Sequence, residues 1–103
     1  MKVYNVVFHR PGPNWKAGED FRQQPGVMAH VEHYAGFLGC GKLLLGGPFA
    51  DPDTGGMMVA DESVSREELD TFAASDPAVV DGLLEYEVRS WYVAMSGQAA
   101  DSE

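Results

Sequence analysis

From Lys2 to His9 the chain is crowded with β-branched and aromatic residues (Val3, Tyr4, Val6, Val7, Phe8), apolar on both alternate faces, until Pro11-Gly12-Pro13 stops the run. The pattern predicts a strand covered on both sides. Arg10 to Gln24 is polar and turn-rich, with Trp15 and Phe21 as its only large apolar groups. A connection that long in a small domain is either a lid or binding loop, or a loop pinned down by those two aromatics. Pro25 suits the first turn of a helix. Val27, Val31, Tyr34, Ala35 and Leu38 then fall at i, i+4, i+7, i+8 and i+11, one stripe expected to be buried, and Gly39 and Gly41 end the helix. His30 lies on the flank of that stripe, on the side of Tyr34 and Phe37, whereas Glu32 and His33 are expected to face water.

Lys42 to Phe49 reads as a second strand, Asp51-Pro52-Asp53-Thr54-Gly55-Gly56 as a turn, and Met57 to Ala60 as the returning hairpin partner. Ser65 with Glu68 three residues on forms a capping box for a helix that buries Leu69, Phe72 and Ala73. Asp76-Pro77 starts a short helix through Val80, with Gly82 as its stop. The last strand runs from Leu84 to Ala94. Leu84, Tyr86, Val88 and Tyr92 share one face, while Trp91 and Val93 make the end of the other apolar.

The order is strand, helix, strand, strand, helix, strand: an α+β fold of the ferredoxin-like βαββαβ sandwich type, in one domain over residues 1–95 with a flexible tail at 96–103. Two helices cover one sheet face only. The apolar residues on the other face therefore predict a homodimer through the sheets.

Composition narrows the function without naming it. A chain of 103 residues with a formal net charge of -9 repels phosphate backbones and anionic lipid, so neither nucleic acid nor membrane is an expected partner. No stretch reaches the roughly 20 apolar residues of a bilayer span, and no signal peptide pattern opens the chain. One cysteine, Cys40, cannot form an internal disulfide; it reads as small buried filler in a reducing, cytoplasmic setting.

Two residues carry the chemistry. His30, at the edge of a buried stripe, has the one side chain type that ordinarily gives and takes protons near neutral pH; the alternative is a half-buried histidine with a routine hydrogen bond. Asp76 is either a second catalytic group or only the cap of the helix that follows it. Metal readings fall away. His30 and His33 point apart, and His30-Val31-Glu32-His33 is one residue short of an inverted zinc motif. Asp51, Asp53, Gly56 and Glu62 match calcium-loop positions by count, but the loop runs into an apolar strand without flanking helices. No metal ligand set and no cofactor motif is expected.

Taken together, the helix histidine His30, Leu45-Gly46-Gly47-Pro48-Phe49 whose Gly-Gly-Pro ends eighteen residues later, Asp76-Pro77-Ala78-Val79 and Glu87-Val88-Arg89-Ser90-Trp91 make the chain resemble the YciI-like (YCII-related) family from about Met1 to Val93. The resemblance implies a ferredoxin-like fold that dimerises into an α+β barrel, with a helix histidine and an aspartate as catalytic groups. These carry over to His30 and Asp76. Many relatives have an Asp-Glu-Gly run at the end of the first helix; here Gly39-Cys40-Gly41 stands there, so the role of that aspartate is either missing or falls to Asp76. The expectation is a cofactor-independent enzyme of lyase or isomerase type. His30 would move a proton on a small polar or hydroxylated aromatic substrate, in a pocket shaped by Trp15, Phe21, Tyr34, Gly47 and Pro48. The alternative is a non-catalytic dimeric protein that binds a small molecule in the same pocket.

Overall fold

The computed structural model describes residues 2–97. The element order is β1 (Lys2–Pro11), α1 (Val27–Gly39), β2 (Leu43–Pro48), β3 (Gly56–Ala60), α2 (Arg66–Ala74), α3 (Pro77–Val80) and β4 (Leu84–Val93), with a short 3-10 turn at Phe21–Gln23. The strands form one antiparallel sheet in the order β2-β3-β1-β4, the ferredoxin-like arrangement. Of the tail expected at 96–103, residues 98–103 lie outside the described residues.

Register sorts the side chains. Val7 is paired with Met58 and Val88, and all three face the helices. There they join Phe37, Ala60, Val64, Leu69 and Ala73 in the main core. His9 lies two residues along the same face and is buried, 4% exposed. The opposite face carries Tyr4, Val6 and Phe8, joined through the pairing by Trp91, Val59 and Met57, and by Leu45 from the edge strand. No helix covers it.

Caps set the ends of the helices that matter. Ser65 Oγ accepts from the Glu68 N–H at 3.0 Å, the serine half of the capping box read from the sequence, while the Glu68 carboxylate accepts from Lys42 Nζ at 2.6 Å. Asp76 Oδ1 accepts from the Ala78 N–H at 2.9 Å, with Pro77 at the first helical position. At the base of the 12–24 loop, a Cβ on Gly12 would lie 2.4 Å from the Gly82 carbonyl oxygen. Only glycine permits that approach, which seats the loop beside α3.

Four expectations need correction. α1 begins at Val27 rather than Pro25, because Gly26 takes a left-handed φ of 92° and caps the helix instead. The stripe of Val27, Val31, Ala35 and Leu38 is not packed into the core: Val31 is 50% and Leu38 57% exposed, and the helix buries Tyr34 and Phe37. His33 does not face water. Its ring stacks on Phe72 of α2 with centroids 3.9 Å apart, because α2 lies against the side of α1 that the sequence reading left to solvent. Cys40 follows the last turn of α1 and is exposed rather than buried.

Candidate functional site

The exposed apolar stripe of α1 has a physical reason. Together with β2 and β3 it walls a half-open cavity of about 310 Å³, a size that suits a small ligand. Trp15 and Phe21 form one wall, and Gly47 and Pro48 lie at the β2 side. Tyr34, His30 and His9 supply the polar groups. Every side chain assigned to the pocket from sequence therefore lines this one cavity, apart from Asp76, which is buried behind it. No lysine, arginine or carboxylate is among the described residues that line the cavity, so its walls offer an ionic substrate group no charged side chain.

Asp76 and His30, 46 positions apart, meet at the polar end: His30 Nδ1 lies 2.6 Å from Asp76 Oδ2. Asp76 is fully buried and His30 largely so. The sequence left open whether Asp76 caps a helix or partners the histidine. Its two oxygens divide those tasks, Oδ1 on the Ala78 N–H and Oδ2 on His30. Burial alone would raise the Asp76 carboxyl. The hydrogen bond and charge of His30 and the Ala78 N–H together outweigh burial and hold it below the usual carboxylate range. An ionised Asp76 can only accept, so the neutral His30 ring places its proton on Nδ1 and its lone pair on Nε2.

His9 completes the cluster. Its Nε2 lies 3.9 Å from Asp76 Oδ2 and 3.4 Å from the Tyr34 hydroxyl, and its ring meets that of His30 edge-on at 4.9 Å between centroids. Burial pushes its imidazole down to about 4, assisted by His30 and opposed by Asp76. At pH 7 His9 is neutral. Burial, with the Asp76 charge next, likewise pushes the Tyr34 phenol up, so Tyr34 keeps its proton. Sequence reasoning missed His9 as a site residue. The signal was present: it sits two residues from Val7, at the end of a strand whose odd positions face the helices.

His9, His30 and Asp76 offer three donor atoms within 4.8 Å of one another, the number and kind that bind a divalent metal. The 2.6 Å His30–Asp76 separation is nevertheless that of a hydrogen bond. It is well short of the roughly 3.3 Å edge that Zn–N and Zn–O bonds of about 2.0–2.1 Å impose on a tetrahedron. In this arrangement His30 and Asp76 share a proton, and the three donor atoms also lie close enough to one another to take an ion.

His33 makes a different contact. Its Nε2 donates to the Phe72 carbonyl oxygen at 2.7 Å. It serves to join α1 to α2 and does not line the cavity.

A family model for the YCII-related domain matches residues 7–92, a span that holds His9, His30, Asp76 and the cavity walls. The chain belongs to the YCII-related family. Among curated proteins no sequence matches it. For a member of the YCII-related family, the activity must therefore be argued from the site itself.

Proposed function

We propose that the protein is a cofactor-independent enzyme of lyase or isomerase type, in which His30 Nε2 takes a proton from, and returns it to, a small neutral substrate held in the cavity. The observation that carries this reading is the 2.6 Å contact between His30 and the buried Asp76 carboxylate at the edge of an apolar cavity. Asp76 fixes the tautomer that leaves Nε2 basic and would balance the imidazolium formed on proton uptake. Tyr34, with its phenol protonated, can donate to an oxygen of the substrate. The apolar walls and the absence of a charged side chain among them favour a hydroxylated aromatic over a more polar compound.

The working unit in this reading is a cytoplasmic homodimer, formed over the sheet face that no helix covers. Trp91, 47% exposed, and Leu45, 65% exposed, lie on that face beside Tyr4, Phe8 and Met57. Such a patch is costly to leave in water.

A thermal-shift screen of neutral hydroxylated aromatics and lactones identifies the ligand, since binding to the folded state raises its melting point. Turnover of a hit is then compared between the wild-type protein and His30→Ala. Loss of turnover with binding retained is the expected result. Undiminished turnover in the variant would exclude His30 as the proton-transfer group.

A further inference from the structure

The loop at residues 12–24 forms one wall of the cavity, and its two sides are held unequally. On one side it is tied to the segment after α3: the Gly12 and Asn14 N–H groups donate to the carbonyls of Leu83 and Gly82 at 2.9 Å, and Asn14 Nδ2 donates to the Asp81 carbonyl at 2.6 Å. Within the loop, the buried Gln24 amide accepts from the Lys16 N–H and donates to the carbonyls of Lys16 and Glu19. The loop is thus a stiff unit on a firm base. Its other side meets the β2–β3 turn. Among the described residues, every hydrogen bond across that gap ends on Asp53. Asp53 Oδ1 accepts from Trp15 Nε1 at 2.7 Å, and the carboxylate also accepts from the Gly18 N–H at 3.2 and 3.3 Å.

Asp53 is also the one non-glycine residue, among those described, with a positive φ, 59°. Aspartate tolerates this region better than most residues, but it is uncommon there, and such outliers gather where a side chain is put to use. Trp15 carries the latch contact and a cavity wall on the same indole.

We propose that Asp53 is a positioning residue whose carboxylate latches the 12–24 loop onto the hairpin, fixing the Trp15–Phe21 wall and the residence time of a ligand behind it. The proposal rests on the reading above only in taking the cavity as the ligand site.

The test uses the full chain with Trp91→Phe, which leaves Trp15 as the only tryptophan. Asp53→Gly removes the carboxylate while suiting the backbone, and Asp53→Asn keeps one acceptor oxygen for the indole. Two quantities are measured: acrylamide quenching of Trp15, and stopped-flow release of the neutral probe 2-naphthol. In Asp53→Gly, release should quicken by about tenfold, the scale of one hydrogen bond to a charged acceptor. Quenching should rise with it, and Asp53→Asn should restore much of both. Unchanged quenching and release in Asp53→Gly would overturn the latch. If 2-naphthol does not bind the wild-type protein, the preference for hydroxylated aromatics fails instead. Trp15 quenching then still decides whether Asp53 holds the wall, an unchanged value overturning it.

Discussion

His30 and His33 sit one turn apart on α1, and both are half-buried, yet the fold uses them differently. His33 donates to a backbone carbonyl and stacks on Phe72, so its partners hold two helices together. His30 meets a carboxylate that has a second oxygen anchored elsewhere, and it borders a cavity. Burial does not separate the two residues. The chemical character of the partner does: either acceptor fixes a tautomer and leaves the other ring nitrogen with its lone pair, but only the carboxylate carries a charge that can balance an imidazolium.

The sharpest way to break that contrast is to remove each ring in turn. His30→Ala should lower turnover of an identified substrate by about 10²–10⁴-fold, the range of general acid–base catalysis, with the circular dichroism spectrum unchanged. His33→Ala should leave turnover within a fewfold of wild type. Comparable losses in the two variants would erase the distinction.

Next in size is Asp76. Asp76→Ala removes the cap and the partner of His30 together, and should cost about 3 kcal/mol in urea denaturation, the lower end of the cost of breaking a buried pair. Asp76→Asn keeps an oxygen for the Ala78 N–H and should recover roughly 1 kcal/mol of that loss, as a cap does. Its turnover should nevertheless stay low, because an amide does not balance an imidazolium.

The third is a pH effect. The folded-state value of His9 lies near 4 and its ordinary value is 6.5, so between these two pH values only the unfolded chain takes up the proton. Stability should therefore be fully present above 6.5 and fall as the pH drops toward 4. The slope approaches 1.4 kcal/mol per unit and the total is about 3 kcal/mol. Asp76, held below the carboxylate range, adds a further loss at lower pH, as its own folded value is crossed. Denaturation midpoints at pH 7 and 5 check this, and His9→Met should flatten the difference.

The smallest effect concerns the contact that His33 does make. His33→Ala should cost about 1–2 kcal/mol of stability, for a lost hydrogen bond and a lost ring stack. No measurable change would mean that the His33–Phe72 contact does not hold α1 to α2.

The order of the elements was readable because each boundary carries its own chemistry: Ser65 with Glu68, Asp76 before Pro77, and the Asp-Pro-Asp-Thr-Gly-Gly turn. His30 was readable because helical phase sets it apart from the apolar stripe. Three placements were not. The stripe of α1 was taken for core because periodicity reports an apolar surface and not what lies against it; here that surface borders an open cavity. His33 was left to solvent because phase on one helix carries no information about where α2 will lie. His9 required strand phase to be joined to helix phase, so that two histidines distant in sequence could be placed on one carboxylate.

Where the protons sit on the two rings is read directly by their long-range ¹⁵N–¹H correlation spectra. Opposite tautomers are expected for the neutral rings: His30 with its proton on Nδ1, His33 with its proton on Nε2, and only the His30 pattern altered by Asp76→Asn. A His30 ring that carries its proton on Nε2, or that keeps its pattern in Asp76→Asn, would contradict that expectation.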